Sequence, residues 1–213
     1  MTSSQPDSLR ALVSVMDRLR SPGGCPWDAQ QTHESLVPYA LEEAHELAEA
    51  IETGDRSGLR EELGDLLLQV VFHARIATEH PSDPFDVDDV ADDLVAKLVR
   101  RHPHVFEDPG PAEAAGDVHV QWDRLKNAEK QRGSALDGVP LALGALARAQ
   151  KIAGRAGRAG LATQVPTGDG LGERLLALVL EADAAGVDAE GALRRTAAAW
   201  EQGLRADEAA AGS

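Results

Sequence analysis

Apolar residues recur at spacings of three and four along most of this 213-residue chain, and no segment of useful length alternates apolar with polar residues. The first spacing places apolar side chains on one face of an α-helix, whereas alternation would indicate a strand. Aromatic residues make up only 3% of the chain, so the core must be built mainly from Leu, Val and Ala. That composition suits helices better than strands. We therefore predict an all-α fold.

The spacing predicts five helices in the first part of the chain, over residues 8–20, 39–53, 57–80, 86–102 and 117–132. Pro38 and Gly54 are expected to limit the second of these helices, and Pro81 to follow the third. The Cys-Pro-Trp-Asp segment at residues 25–28 is assigned to a loop. Three further Ala-rich helices are expected after a polar stretch. We accordingly divide the chain into two regions, residues 1–134 and 135–213.

Charge and composition narrow the classes of function. The chain carries 21 basic and 36 acidic residues, a net charge of −15, which does not suit a nucleic-acid-binding surface. Its one cysteine, Cys25, permits no internal disulfide, and its first residues lack the apolar stretch of a signal peptide. The longest apolar run is far short of the ~20 residues that cross a bilayer. We expect a cytoplasmic protein without a membrane span.

Two pairs of acidic residues stand out by their spacing. Glu43 and Glu46 are three positions apart on the second predicted helix, and Glu62 and Asp65 are three apart on the third. Each pair therefore projects from one face of its helix. The segment between the pairs is long enough for a turn that lets the two helices lie antiparallel. The four carboxylates can then converge.

Convergence of four carboxylates is costly without a cation. Two unit charges ~6 Å apart repel by roughly 3 kcal/mol at an effective dielectric constant of ~20. Mg²⁺, for which Mn²⁺ is a possible substitute, resolves this repulsion because it prefers hard oxygen ligands and commonly binds carboxylates together with substrate phosphates. Zinc is less favoured, since the single thiol is isolated and the histidines form no evident ligand cluster.

Two other interpretations of the acidic residues remain open. Glu-rich helix faces are often simply solvated, without any ligand. Glu42 and His45 also have the Glu-x-x-His spacing of di-iron carboxylate bundles, but these need a second copy of the motif. The second copy is missing, because position 70, three residues before His73, is a valine.

Basic and aromatic residues complement the acidic pairs. Lys97 and Arg101 are four residues apart on the fourth predicted helix, and Trp122 and Lys126 are four apart on the fifth. Such groups can meet the phosphate oxygens and the base of a nucleoside triphosphate. Read singly, Lys97 and Arg101 also fit helix-end charges and Trp122 fits a core anchor. No Gly-x-x-x-x-Gly-Lys loop is present, which excludes a P-loop enzyme.

An ordered series of short motifs resembles the MazG-type nucleoside triphosphate pyrophosphohydrolases over residues 8 to about 152. The motifs are Cys25-Pro26-Trp27-Asp28 with Gln31-Thr32, Leu41-Glu42-Glu43 with Glu46, Glu61-Glu62-Leu63-Gly64-Asp65-Leu66-Leu67, Arg100-Arg101-His102-Pro103-His104-Val105-Phe106, and Trp122 with Lys126. The resemblance implies a four-helix-type bundle that dimerises and hydrolyses nucleoside triphosphates to nucleoside monophosphate and pyrophosphate with Mg²⁺.

The resemblance also assigns roles to individual residues. Its metal ligands fall on Glu43, Glu46, Glu62 and Asp65, and its substrate-binding residues on Lys97, Arg101, Trp122 and Lys126. The three cations would compensate charge on the leaving pyrophosphate. Glu43 and Glu46 are the candidates for the general base. A role in nucleotide-pool housekeeping follows from the same resemblance.

The region after residue 135 looks like a shortened second copy at an offset of 108 residues. Glu173 stands where Asp65 does, but Gly170 replaces Glu62 and no Glu-x-x-Glu helix precedes it. We expect this degenerate copy to pack without hosting a metal site. The alternative function for the whole chain is a non-catalytic acidic helical module that binds a nucleotide or a protein.

Overall fold

The computed structural model describes residues 7–106, 133–161 and 165–212. These residues form nine α-helices and no strands, namely α1 (Ser8–Arg20), α2 (Pro26–Gln30), α3 (His33–Thr53), α4 (Arg56–Ala77), α5 (Val87–Arg101), α6 (Pro103–Phe106), α7 (Ala145–Arg158), α8 (Leu171–Ala184) and α9 (Ala189–Ala211). The all-α prediction is confirmed. The helix predicted over residues 117–132 lies outside the described residues.

The helices belong to two compact units, one ending at residue 112 and the other beginning at residue 113. In the first unit the four longer helices α1, α3, α4 and α5 give the four-helix-type arrangement, with α4 packed against each of the other three. The boundary between residues 134 and 135 stays a prediction, because residues 107–132 lie outside the part of the chain that the structure describes.

Helix α3 begins six residues before the position that the sequence predicts, so Pro38 lies inside the helix and does not limit it. Thr32 caps the N-terminus in a capping box with Ser35, which satisfies exposed backbone N–H groups and fixes the first turn. Pro38 follows in the second turn and is exposed, so the carbonyl group that loses its helical partner can bond to water. Capping therefore outweighs the local cost of the proline.

A tight turn joins α3 to α4 and makes the two helices an antiparallel hairpin. Gly54 ends α3 with φ 71°, a left-handed conformation that glycine adopts without a steric penalty. Asp55 then caps α4 by accepting hydrogen bonds from the backbone N–H groups of Ser57 and Gly58 at 3.0 and 3.1 Å. Helix α4 ends at Ala77, three residues before the predicted end, where turn hydrogen bonds of Glu79 and His80 replace helical ones.

The apolar core of the first unit lies at the open end of this hairpin, away from Gly54. Its fully or nearly fully buried side chains are Met16, Leu36, Val71, Phe72 and Ile76. They come from α1, from the start of α3 and from the second half of α4. Apolar packing therefore stabilises the end of the hairpin away from Gly54, and polar side chains can occupy the end nearer the turn.

Two arginines of α1 form ion pairs with carboxylates just beyond the end of α4 and at the start of α5. Arg20 forms a two-point ion pair with Glu79, with Nε–Oε1 and Nη2–Oε2 distances of 2.8 and 2.9 Å. The Arg20 side chain is only 7% exposed. Arg10 pairs with Asp88 at the start of α5, and both of these side chains are more than half exposed.

The Cys-Pro-Trp-Asp segment assigned to a loop forms the short helix α2, with Pro26 at its first position. Proline suits the first position of a helix because the backbone N–H group there makes no helical hydrogen bond, so none is lost when proline lacks it. Nη1 of Arg20 donates hydrogen bonds to the carbonyl oxygens of Asp28 and Gln31 at 2.6 and 3.0 Å. The buried guanidinium therefore fixes α2 against the end of α1.

Two histidines meet on the hairpin at the open end. The rings of His33 and His73 are parallel within 1°, and their Nδ1 atoms are 2.8 Å apart. One Nδ1 must donate a hydrogen and the other accept it, so protonation of both inner nitrogens would break the contact. Burial, followed by the charge of His33, lowers the pKa of His73.

The second unit contains α7, α8 and α9. Adding the offset of 108 to the bounds of α3 and α4 gives residues 141–161 and 164–185, and α7 and α8 lie within these ranges. Glu190 accepts a hydrogen bond from the N–H of Ala147 at 3.1 Å and so caps α7. Val179 is buried at 2% exposure. None of the helices in the described residues is both long and apolar enough to cross a membrane.

We expect the His33–His73 contact to make stability depend on pH. As pH falls below 6.5, the ordinary histidine pKa, the unfolded chain takes up a proton that the folded state resists at His73. The free energy of unfolding should therefore fall with pH in this window and be unaffected by this group above it. Denaturant unfolding between pH 5.5 and 8 should show a shallower acid loss in His73→Gln than in the wild type, with exposed His45→Gln as control; equal slopes would contradict the assignment.

Candidate metal centre

The acidic pairs lie on the facing helices of the hairpin. Glu43 and Glu46 belong to α3, and Glu62 and Asp65 belong to α4. Because the helices are antiparallel and joined by a tight turn, residues about equally far from Gly54 come opposite each other. The positions of the two pairs relative to this turn are what bring them together.

Three of the four carboxylates form one cluster. One oxygen each from Glu43, Glu62 and Asp65 can be chosen so that all three lie within 4.8 Å of one another. All three residues are half-buried. This is the one group of at least three His, Cys, Asp or Glu side chains that could hold a metal within residues 7–106, 133–161 and 165–212.

The pKa values of the clustered carboxyl groups show that this arrangement disfavours their ionised forms. Burial raises the pKa of Glu43, and the negative charges of Asp65, Glu46 and Glu62 raise it further. Burial also raises the pKa of Glu62, with added repulsion from Glu46 and Asp65. A cation bound at the cluster would lower the pKa of both Glu43 and Glu62, since it favours the ionised carboxylates.

Glu46 stands slightly apart from the other three acids. It is exposed and does not belong to the group whose oxygens lie within 4.8 Å of one another. Its charge nevertheless acts on both Glu43 and Glu62, so it borders the cluster. The structure therefore brings together three predicted ligands and places the fourth at their edge.

The predicted cations lie on α5, which packs against α4. Arg101 is buried at 8% exposure and Lys97 is half-buried. Their spacing of four puts them on one face of the helix. Trp122 and Lys126 lie outside the described residues.

Sequence reasoning gave no role to Gln69, although it continues the face of Glu62 and Asp65 at spacings of seven and four. Gln69 is 8% exposed, and its Oε1 atom has no hydrogen-bond partner in the described part of the chain. The signal available in the sequence was a polar residue interrupting the apolar run Leu66 to Phe72.

The donor set fits a hard divalent cation. Carboxylate oxygens on two helices can bind one or two such ions while leaving positions for water and phosphate oxygens. The cluster contains no imidazole or thiolate, the ligands that favour zinc. The single Glu-x-x-His motif supplies only Glu42 and His45, and neither belongs to the cluster.

Fold and site together define an all-α protein with a carboxylate centre on a helical hairpin. The profile of the MazG nucleotide pyrophosphohydrolase domain matches residues 31–106, which include both acidic pairs, Lys97 and Arg101. The match thus contains the entire hairpin and α5.

Individual relatives extend over more of the chain. An uncharacterized 26.1 kDa protein of Streptomyces cacaoi is 54% identical over 92% of this chain and 81% of its own length. The nucleoside triphosphate pyrophosphohydrolase of Escherichia coli K12 is 44% identical over 83% of this chain and 68% of its own length. The Mycobacterium tuberculosis protein of the same name is 43% identical over 97% of this chain, which spans 62% of that relative.

The chain therefore belongs to the MazG nucleotide pyrophosphohydrolase family. This confirms the resemblance drawn from the short motifs.

We predict that neutralising one clustered acid stabilises the metal-free protein. Glu62→Gln removes repulsion within the cluster, so its melting temperature without metal should exceed that of the wild type. The same change removes a metal ligand, so added Mg²⁺ should raise the melting temperature less than it does in the wild type. Differential scanning calorimetry with and without Mg²⁺ tests both parts, with Glu49→Gln on α3 as control. A lower metal-free melting temperature with an unchanged Mg²⁺ effect would refute the assignment.

Proposed function

We propose that this chain hydrolyses nucleoside triphosphates to nucleoside monophosphate and pyrophosphate, using Mg²⁺ held by Glu43, Glu46, Glu62 and Asp65. The observation that carries the proposal is the convergence of three carboxylates from two helices within 4.8 Å. The names of the E. coli and M. tuberculosis relatives support this substrate class.

The reaction breaks the bond between the α-phosphorus and the oxygen bridging to the β-phosphate. Water attacks the α-phosphorus, loses a proton, and pyrophosphate leaves. Mg²⁺ held by the four carboxylates would neutralise charge on the triphosphate and would lower the pKa of the attacking water. Glu43 and Glu46 are the candidates to accept the proton.

The cations act on the phosphate side of the substrate. Lys97 and Arg101 share one face of α5 and would neutralise charge on the leaving pyrophosphate. Burial of Arg101 strengthens its interaction with phosphate oxygens, because fewer waters compete with it. Lys126 would join them, and Trp122 would contact the base, in the roles that the family resemblance gives them.

Mg²⁺ is the proposed ion, with Mn²⁺ as a substitute, because both accept oxygen ligands. The proposed cellular role is nucleotide-pool housekeeping, and a cytoplasmic location stays a prediction.

Exposed apolar side chains support a homodimer. Several large apolar residues on the hairpin and α5 are at least 40% exposed, namely Leu41, Leu63, Val70, Leu94, Val95 and Leu98. Exposed apolar surface in such quantity is typical of a protein–protein interface. A second copy of the chain is the proposed partner.

We predict that Asp65→Asn abolishes Mg²⁺-dependent turnover, because it removes a charge from the metal cluster. Wild-type protein with ATP and Mg²⁺ should release AMP and pyrophosphate, which ³¹P NMR identifies. The matched control is Glu173→Gln, which changes the acid at the corresponding position of the second unit and should leave turnover near the wild-type rate.

Three outcomes would contradict these assignments. ADP and phosphate as products would indicate another hydrolase, and absence of turnover across a nucleotide panel would favour the non-catalytic module. Loss of turnover in Glu173→Gln would show that the second unit contributes chemistry.

We predict a dimer that a single charge can dissociate. Val95 is 57% exposed on α5, so Val95→Glu should cost little in a folded monomer but place a charge in the proposed interface. Sedimentation velocity should show a dimer for the wild type and a monomer for Val95→Glu. A wild-type monomer at micromolar concentration would overturn the proposal.

A further inference from the structure

Most of helix α9 in the second unit is exposed to solvent. Its start is fixed on α7, because the Gln150 side chain donates a hydrogen bond to the carbonyl oxygen of Val187 at 2.7 Å and accepts one from the N–H of Ala189 at 3.0 Å. From residue 195 to the end of the helix every residue is exposed. A helical segment of this length is only marginally stable in water without tertiary packing. We therefore expect the exposed part of α9 to pack against a partner.

An apolar stripe runs along this exposed part of α9. It consists of Leu193, Ala197, Trp200 and Leu204, at successive spacings of four, three and four. The three larger side chains are 57%, 70% and 48% exposed. Alternating spacings of three and four place residues along the seam of a coiled coil. Single exposed apolar residues are common in soluble proteins, but a continuous stripe at this spacing is typical of a helix that pairs with another helix.

The stripe is complementary to itself when two copies of α9 run antiparallel. If the pair is centred between residues 198 and 199, each Ala197 faces Trp200 of the second copy, and each Leu193 faces Leu204. A large side chain then meets a small one in both central layers, as interdigitated packing requires. A parallel pair would place Trp200 against Trp200 and Ala197 against Ala197, which overpacks one layer and leaves a void in the other. Side-chain size therefore favours the antiparallel arrangement.

The charges beside the stripe favour the same arrangement. Arg194, Glu201 and Glu208 follow one another at spacings of seven along one flank of the stripe. In an antiparallel pair this flank meets the same flank of the second copy, so the basic start of one helix lies beside the acidic end of the other. Glu201 also pairs with Arg205 of its own helix at 2.9 Å, but both side chains are more than half exposed. The carboxylate can therefore accept a further hydrogen bond.

We propose that the α9 helices of two copies pair antiparallel through this stripe within the homodimer. This inference rests on the dimer given under the proposed function. Two copies that are already joined through their first units present their α9 helices to each other at an effective concentration on the order of millimolar. Four packed layers then suffice, although they would not hold free chains together at micromolar concentration. The second unit, which lacks the acidic pairs, thereby contributes to assembly.

The test measures the distance between spin labels on the two copies of the full-length chain. Cys25→Ser removes the native thiol, and Ala199→Cys or Ala206→Cys supplies one labelling site away from the stripe. The two sites are seven residues apart and occupy the same place around the helix. In the antiparallel pair the axial offset between the two labels is ~2 Å at position 199 and ~22 Å at position 206. Double electron–electron resonance should therefore give a longer distance at 206, whereas equal distances would indicate a parallel pair and overturn the inference.

Variants of the stripe connect these distances to its packing. Trp200→Glu places a charge in both central layers and should abolish the defined distances, whereas Gln202→Glu adds the same charge on the opposite side of α9 and should leave them unchanged. Ala197→Trp puts two large side chains in one layer and should also abolish them. Adding Trp200→Ala to Ala197→Trp restores the pairing of large with small and should restore the distances; failure to do so would refute this packing. The Mg²⁺-dependent rise in melting temperature should be the same in all variants, because the metal centre lies in the first unit.

Sedimentation velocity separates this inference from the homodimer itself. Trp200→Glu should still sediment as a dimer, because the first units continue to join the copies. A wild-type dimer without a defined distance at either label would overturn the pairing of α9 and assign the stripe to a partner of another kind. A wild-type monomer would overturn both the homodimer and the pairing. The expected distances in a protein that does not hydrolyse nucleoside triphosphates would support the pairing and refute only the proposed reaction.

Discussion

The packing of α3 against α4 is the constraint on which the rest of the first unit depends. Apolar side chains at the open end hold the hairpin, and they offset the repulsion among Glu43, Glu62 and Asp65 nearer the turn. Because the apolar core and the acidic cluster lie at different places along one helix pair, the carboxylate oxygens can lie within 4.8 Å of one another. The raised pKa values of Glu43 and Glu62 show that burial and mutual repulsion still disfavour the ionised carboxylates.

Much of this arrangement follows from the sequence because helical periodicity fixes which residues share a face. Spacings of three predict the two acidic pairs, and the spacing of four predicts that Lys97 and Arg101 lie together. The start of α3 could not be predicted in the same way. The penalty for Pro38 is local, whereas the capping box and the packing of Leu36 that outweigh it depend on neighbouring turns and on tertiary contacts.

The contacts around α2 were beyond sequence reasoning for a different reason. Arg20 has no periodic signature that links it to Glu79, which lies 59 residues further along the chain. Trp27 could be recognised as part of a motif, but its contacts with Tyr39 and Phe72 require the hairpin to be in place. Periodicity predicts the elements well; long-range polar contacts depend on how the elements assemble.

The proposed internal repeat implies that the second unit keeps helical packing without the acidic pairs of the first unit. At the offset of 108, Glu43 and Glu46 correspond to Lys151 and Gly154, so a cation and a residue without a side chain replace two acids. The helices persist because apolar residues such as Val179 remain buried. Charge complementarity to a metal and apolar packing are thus separable properties of these helices.

Two of the ion pairs that tie α1 to its neighbours differ in their exposure to solvent, and this gives the first unit an uneven response to ionic strength. Dissolved salt screens the exposed pair of Arg10 and Asp88 strongly, so the hold of α1 on α5 weakens as salt rises. The Arg20 side chain is 7% exposed, so its pair with Glu79 is screened far less. At high salt concentration, α1 would therefore keep its ion pair at the end of α4, while its ion pair with α5 weakens.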